Sequence, residues 1–305
     1  MLELRSQEIF RRYKMKISQL FKQKKVIYSF EIFPPKVNDD ISKIYKTLSE
    51  LKDVSPDYIS ITYSAGGSNN SRTKEIAEIV KDKYGIEPLA HLTCINSTKE
   101  EVGNALQGLV DIGVENVLAL RGDRIEGKVK SDFKYASELT QFIKQNSDMD
   151  VAGACYPEGH PESANIVEDI RNMKIKVDNG VSHLNSQLFF DNDDYLKYLD
   201  MVRLAGIDVP IQAGIMPLVR ASQFGGIVKT TGAKLPSKIA RMYNKFGDDP
   251  DALMEAGIAY ATDQIVDLLS SGVDGIHLYI MNNAYVARRI TENVAPIIDK
   301  LNGVK

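Results

Sequence analysis

Tyr28-Ser29-Phe30-Glu31-Ile32-Phe33-Pro34-Pro35-Lys36 sets a carboxylate inside an apolar, β-favouring run and ends that run with two prolines. In a strand, Tyr28, Phe30 and Ile32 point one way and Ser29, Glu31 and Phe33 the other. Pro34 has no N–H to give a sheet, so the strand stops there and Glu31 lies near its carboxyl end. Two environments fit such a glutamate. On an edge strand it faces solvent. Facing inward it loses hydration, its pKa is expected to rise, and it becomes a candidate general acid.

The same alternation continues outward from this strand. Candidate strands are Val26–Ile32, Tyr58–Tyr63, Glu87–Cys94, Asn116–Arg121, Asp150–Tyr156, His183–Phe189, Val209–Ile215 and Gly275–Ile280. Helical patterns cover Ile41–Lys52, Thr73–Tyr84, Lys99–Ile112, Phe133–Asn146, Pro161–Asn179, Asp193–Ala205, a longer region Arg220–Ser271, and Ala284–Leu301. Eight strands alternating with eight helical segments predict an α/β (β/α)8 TIM barrel as a single domain. A doubly wound open sheet is the alternative, but it wants a glycine-rich turn after an early strand. The turn here, Phe33-Pro34-Pro35-Lys36, has no glycine. Residues 1–25 read as an extra N-terminal helical extension, with Ile9, Phe10, Ile17, Leu20 and Phe21 as its apolar stripe; residues 26–305 form the barrel.

Catalytic groups in such barrels gather at the carboxyl ends of the strands. Those ends read Glu31, Thr62-Tyr63-Ser64, His91-Leu92-Thr93, Arg121-Gly122-Asp123, Tyr156-Pro157-Glu158, Gln187, Gly214-Ile215-Met216-Pro217 and Tyr279. They are polar, aromatic or glycine-containing, whereas the strand bodies are mainly apolar. Solvated loops give the same gradient without any active site.

Bulk properties narrow the class. The chain has 305 residues, 43% of them apolar and 26% charged, as in ordinary globular proteins. A net charge of −3 argues against a nucleic-acid surface. No run approaches the roughly 18 apolar residues of a membrane span. The N-terminus lacks the apolar core of a signal peptide, so the expected location is the cytoplasm. Cys94 and Cys155 give no disulfide framework and read as buried thiols. His91, His160, His183 and His277 are scattered, so a zinc site has no sequence support.

Five motifs, in order, carry a family resemblance: Ser29-Phe30-Glu31-Ile32-Phe33-Pro34-Pro35, Leu120-Arg121-Gly122-Asp123, Tyr156-Pro157-Glu158-Gly159-His160-Pro161-Glu162, Lys176-Val177-Asp178-Asn179-Gly180 and Gly214-Ile215-Met216-Pro217. Together they resemble the methylenetetrahydrofolate reductase family, in its short bacterial form, from about Val26 to the C-terminus. The resemblance implies an FAD-containing barrel. NADH or NADPH would reduce the flavin and depart, and methylenetetrahydrofolate would then take the hydride in the same place.

The resemblance also implies roles. Glu31 matches the acid that protonates N10 so that the substrate's five-membered ring opens. Asp123 matches an aspartate near flavin and pterin that tunes charge; on its own it reads as a helix cap. Thr62, Tyr63, His91, Leu120, Arg121 and Gly122 match residues around the flavin. Tyr135 and Ala136 match the adenosine side, and Tyr156 and His160 the ring and diphosphate region. Asp169, Asn172 and Lys176 share a helix face and match ribose and phosphate contacts; read alone they are a solvated face. Gln187, Gln223 and Tyr279 match substrate contacts, and each glutamine read alone is a surface amide. Phe189 and Phe190 read as core.

Two departures stand out. Ile227 replaces a phenylalanine of bacterial relatives, and Asn283 replaces an arginine that binds substrate charge. These leave the electron donor open among NADH, NADPH and a redox partner subunit. A homo-oligomer is expected for such an enzyme. Other readings are a proline-dehydrogenase-like FAD barrel, a flavin-free barrel lyase or aldolase, and a non-catalytic subunit. The flavin-free enzyme would want a Schiff-base lysine or a metal cluster.

Overall fold

A computed structural model describes residues 15–35, 39–63, 70–124 and 131–304. Ile9, Phe10, Lys36 and Ser64 lie outside the described residues, as does the side chain of Ile227.

The elements run α1 (Ile17–Gln23), β1 (Ile27–Ile32), α2 (Ser42–Leu51), β2 (Tyr58–Ile61), α3 (Asn70–Tyr84), β3 (Glu87–Thr93), α4 (Lys99–Asp111), β4 (Asn116–Leu120), α5 (Ala136–Asn146), β5 (Asp150–Cys155), α6 (Ile166–Asp178), β6 (His183–Ser186), α7 (Asn192–Leu204), β7 (Ile211–Ile215), α8 (Ala221–Thr231), α9 (Ser237–Phe246), α10 (Pro250–Ser270), β8 (Gly275–Tyr279) and α11 (Ala284–Leu301). All eight strands are parallel and close in sequence order, with β8 pairing back onto β1. This is the (β/α)8 barrel that the alternation predicts. Closure leaves no edge strand, so the solvent-facing position considered for Glu31 does not exist.

The proline ending of β1 holds, and the side-chain alternation along it sorts two environments. Tyr28, Phe30 and Ile32 pack outward into the main apolar cluster between strands and helices. Ser29 and Glu31 point into the barrel, where they meet histidine side chains. The register places Ser29 beside His277 and Glu31 beside Tyr279 across the closing β1–β8 ladder.

Helix α1 covers the floor. Its Ile17 and Leu20 join Ile27, Tyr58, Leu89, Leu118 and Ala152 in one cluster. Two strand side chains take the free N–H groups of its first turn: Ile17 N donates to Asn116 Oδ1 at 2.8 Å and Ser18 N to Asp150 Oδ2 at 2.7 Å.

Boundaries differ from the sequence expectation where proline and glycine intervene. The single region Arg220–Ser271 is three helices, broken by Gly232 (φ +72°), Pro236 and Pro250. Asp249 caps the last of them by accepting from Ala252 N at 3.0 Å. Likewise α6 starts at Ile166, because the Asn165 side chain caps it by accepting from Glu168 N at 3.0 Å. Several strands end one to three residues earlier than expected, which leaves Thr62, Tyr63, Arg121, Tyr156 and Gln187 in the loops of the mouth.

Candidate active site

Glu31 is 6% exposed at the top of β1. Both of its histidine contacts go to the same oxygen: His277 Nε2 is 3.4 Å and His91 Nε2 3.5 Å from Oε2. Burial pushes the carboxyl up, but hydrogen bonds and charge from His277 and His91 together outweigh it and bring the group down from 4.5 to about 2. The expected upward shift is therefore corrected. It considered desolvation alone, and the two histidines come from strands far away in sequence.

Below Glu31 the barrel interior is polar. His277 Nδ1 lies 2.8 Å from Ser29 Oγ, Gln212 Nε2 donates to Ser29 Oγ at 3.0 Å, and the Tyr58 hydroxyl donates to Gln212 Oε1. Tyr58 also lies 3.1 Å from Asn185 Oδ1. All of these side chains are buried. Gly275 keeps the space open: a Cβ there would sit 2.5 Å from Ile27 O and 3.1 Å from Gln212 Nε2.

Among the described residues, two cavities are lined by residues at the carboxyl ends of the strands. The first, about 440 Å³, is largely apolar and includes Phe33, Leu188, Met216, Gln223, Tyr279 and Asn283 in its lining. Glu31 is two residues from Phe33 along the chain and is paired in register with Tyr279, and both of those residues line this cavity. The Tyr279 hydroxyl donates to Ser186 O at 2.8 Å, and Gly214 lies under the ring, where a Cβ would be 2.9 Å from it. Gln223 folds its amide onto the preceding loop: Oε1 accepts from Val219 N and Arg220 N, and Nε2 donates to Pro217 O. Asn283 is occupied as the cap of α11, accepting from Val286 N at 3.2 Å. Arg220 also lines this cavity, and its guanidinium has no ion-pair or hydrogen-bond partner among the described residues.

The second cavity, about 410 Å³, lies over β4, β5 and α6. Leu120, Arg121, Tyr135, Ala136, Tyr156 and His160 line it, and so do Asp169, Asn172 and Lys176. The helix face suggested by the spacing of the last three thus turns toward a cavity. The Lys176 ammonium is bonded to Ala154 O at 2.6 Å, and burial pulls its pKa down. Burial pushes the Asp169 carboxyl up and the His160 ring down. Arg121 is held as a fork by Glu162, with Nη2 2.7 Å from Oε1. Two cations, a buried acid and an aromatic pair (Tyr156 and His160, centroids 4.7 Å apart) form a lining suited to a phosphorylated, ring-bearing cofactor.

Other expected residues line neither cavity. Thr62 and Tyr63 follow β2, with Thr62 O accepting from Thr73 Oγ1 at 3.2 Å. Asp123 is exposed just past β4, and its carbonyl accepts from Asn96 Nδ2 at 2.6 Å. Gly122 before it has φ +81°, and a Cβ there would lie 3.0 Å from Thr93, so glycine is required. Gln187 turns its Oε1 to Leu188 N at 3.0 Å. Cys94 and Cys155 are buried, as are Phe189 and Phe190.

Ser29, Tyr58, Asn185, Gln212 and His277 were not singled out from the sequence. A signal existed: polar residues alternate within β-favouring runs, as in Ser29-x-Glu31, His183-x-Asn185 and His277-x-Tyr279.

Comparison with known proteins agrees with this geometry. The family model for methylenetetrahydrofolate reductase matches residues 16–295. A 5,10-methylenetetrahydrofolate reductase of Escherichia coli is 34% identical over 268 residues, covering 88% of this chain and 90% of that protein. Methylenetetrahydrofolate reductase 1 of Schizosaccharomyces pombe is 32% identical over 294 residues, covering 92% of this chain. The chain spans about half (49%) of that longer relative. Among solved structures, an uncharacterized Clostridium thermocellum protein that binds two copies of 5-methyl-5,6,7,8-tetrahydrofolic acid superposes with a TM-score of 0.64. It covers 91% of this chain at 13% identity, a likeness of fold. No helix among the described residues is long and apolar enough to cross a membrane. With a family model matched across nearly all of a closed barrel, the chain belongs to the methylenetetrahydrofolate reductase family.

Proposed function

We propose that this protein reduces 5,10-methylenetetrahydrofolate to 5-methyltetrahydrofolate, with electrons passed from NADH or NADPH through bound FAD. The observation that carries the reading is Glu31: a buried carboxyl in register with Tyr279 and two residues before Phe33, both of which line an apolar cavity, in a chain of this family.

FAD supplies the two-electron hydride chemistry that side chains lack. Arg121 and Lys176 would offset its phosphates, with His160 as a further donor. Tyr135 and Ala136 would meet its adenosine, and Asp169 and Asn172 its ribose. Arg121 would have to exchange Glu162 for phosphate, a like-for-like replacement of one anion by another. Thr62, Tyr63, His91, Leu120, Gly122 and Tyr156 would surround the ring, and Asp123 would tune the charge around it.

Glu31 would give a proton to N10 as the methylene–N10 bond breaks, leaving at N5 an iminium able to take the hydride that bound FAD would supply. A carboxyl near 2 is ionised in the resting site. Substrate filling the cavity would add to the desolvation that already pushes Glu31 upward, which favours proton uptake on binding. Gln187, Gln223 and Tyr279 would orient the pterin. Arg220 would meet the anionic tail, because Asn283 caps a helix.

The test is spectroscopic. Purified protein should be yellow, or become so with added FAD. NADH or NADPH should bleach it, and methylenetetrahydrofolate should restore the colour. A protein that cannot be loaded with flavin, or whose reduced flavin ignores methylenetetrahydrofolate, would overturn the proposal.

A further inference from the structure

We infer that Gln212 is a positioning residue for the proton donor. Acting through Ser29, it holds His277 in its Nε2–H form, so that His277 pins Oε2 of Glu31 and leaves Oε1 to carry the transferable proton. The inference rests on the reading of Glu31 as the acid.

The direction of the hydrogen-bond chain is fixed at Gln212. Its Nε2 faces three oxygens: Ser29 Oγ at 3.0 Å, Ile276 O at 3.2 Å and Ile27 O at 3.4 Å. Its Oε1 faces the Tyr58 hydroxyl. Turning the amide over would set an oxygen against two backbone carbonyls, which accept and cannot donate. Nε2 is therefore the donor, and Ser29 Oγ accepts from it. A serine hydroxyl has one hydrogen. Two neighbours remain for that hydrogen, the Tyr58 hydroxyl and His277 Nδ1 at 2.8 Å; the ionised Glu31 oxygen that faces Nε2 from the far side of the ring calls for an N–H there, which leaves Nδ1 to accept from Ser29.

An Nδ1 that accepts leaves the ring proton on Nε2, which faces Glu31 Oε2 at 3.4 Å. The opposite arrangement would have Nδ1–H and Gln212 both donate to Ser29. The serine proton would then have only the Tyr58 hydroxyl to go to, and a bare Nε2 would face the Glu31 carboxylate, in a site where Ser29, Gln212 and His277 are each 0% exposed. Two acceptors set against each other in a buried site cost enough to bias the two forms by roughly tenfold or more. Oε2 of Glu31 thus receives a fixed N–H from below, with His91 Nε2 at 3.5 Å beside it. An oxygen that already accepts in this way is the poorer place for a proton. Gln212 also ends the chain, because an amide orients protons and does not pass them on.

The histidine ring nitrogens test this directly, because the chain holds only four histidines. Long-range 15N NMR of the protein as purified, with the His277 signals identified by their loss in His277→Gln, reads the tautomer. The wild type should show His277 with Nδ1 bare and Nε2 protonated. Gln212→Leu should move the ratio of the two forms by about tenfold toward Nδ1–H. The same substitution should slow reoxidation of reduced flavin by methylenetetrahydrofolate by about tenfold, and should leave flavin reduction by NADH unchanged. Tyr58→Phe is the structural control. It removes the hydroxyl from Oε1 of Gln212 and the competing acceptor of the Ser29 proton, but leaves the two carbonyls that orient the amide, so it should lower stability without moving the tautomer toward Nδ1–H. A bare Nε2 in the wild type overturns the inference, and so does an unmoved tautomer in folded Gln212→Leu. A wild type that fails to reduce methylenetetrahydrofolate overturns the functional reading instead, since the tautomer is measured without turnover.

Discussion

His91 Nε2 lies 3.5 Å from Glu31 Oε2 and 2.7 Å from Ser60 Oγ, so one ring joins the third, second and first strands at the mouth of the barrel. A carboxylate in that position is stabilised as an anion until something dry and uncharged covers it. The expected consequence is proton uptake. Binding of methylenetetrahydrofolate should take up a fraction of a proton per site as Glu31 is further desolvated, and the fraction should grow as pH is lowered toward the ordinary carboxylate range. Calorimetry in buffers of different ionisation enthalpy measures this directly. Glu31→Gln should abolish the uptake. Binding without proton uptake in the wild type would place the acid elsewhere.

The same substitution separates the two halves of the reaction. Glu31→Gln keeps the shape of the site and removes the acid. Folate-dependent reoxidation of the flavin should fall on the order of a hundredfold or more. Flavin content and reduction by NADH should stay at wild-type levels, because the carboxyl takes no part in them. Stopped-flow absorbance resolves both steps, and wild-type reoxidation by Glu31→Gln would remove Glu31 from the mechanism.

Stability against acid follows from the direction of the shift. A carboxyl lowered from 4.5 to about 2 on folding contributes stability that is fully present above pH 4.5 and is lost as pH falls toward 2. The stability of the wild type relative to Glu31→Gln should therefore shrink as pH drops through that window and level off above it. Denaturant titrations of both proteins at several pH values give the comparison, and a parallel pair of curves would contradict the assigned shift.

The barrel was legible because its signal is local. Each strand is a short apolar run closed by a turn, and Pro34 marks the end of the first one. Local reading also reached Glu31, and the spacing of Asp169, Asn172 and Lys176 reached one wall of the second cavity. It did not reach the state of Glu31, because that state depends on His91 and His277. The second of these lies 246 residues away, and closure of the ring alone brings it near. Nor did it reveal that Asn283 caps α11 while Arg220 lines the cavity without a partner among the described residues.

That last pairing yields a test of substrate recognition. Arg220→Ala should raise KM for methylenetetrahydrofolate by about tenfold, the loss expected for one charge-assisted hydrogen bond. The effect should vanish with a substrate that ends at the pteroate and lacks the glutamyl carboxylates. The KM for NADH should not move. An equal loss with both folate substrates would mean that Arg220 supports the loop and does not read the tail.

Lys176 carries a prediction of opposite sign for stability and binding. Its ammonium is buried against a single carbonyl, Ala154 O, and burial pulls its pKa down. The Asp169 carboxylate nearby offsets only part of that desolvation, so the group opposes folding. Lys176→Met keeps the packing of the stem and removes the charge. The flavin-free protein should then melt at the wild-type temperature or above it. Affinity for FAD, followed by quenching of flavin fluorescence, should fall by at least about tenfold, since a charge-assisted contact is lost. Unchanged FAD affinity would show that the phosphates bind away from α6.

The floor of the barrel offers a test that is independent of any ligand. Asn116 is 0% exposed and holds the start of α1 and the chain just before it: its Oδ1 accepts from Ile17 N at 2.8 Å, and its Nδ2 donates to Met15 O at 3.0 Å. Asn116→Leu fits the apolar floor around Leu89 and Leu118 but strands both backbone groups. The cost is about 2 kcal/mol, which lowers the melting temperature of a chain this size by a few degrees. Removing α1 altogether is a different matter. A chain beginning at Lys24 would expose Ile27, Tyr58, Leu89, Leu118 and Ala152 together. A contiguous apolar patch of that kind drives association between copies. Such a chain should aggregate on warming even with flavin bound, because the cofactor would sit at the opposite end of the barrel. A shortened chain that stayed monodisperse and melted with the full-length protein would show that α1 only rests on the floor and does not seal it.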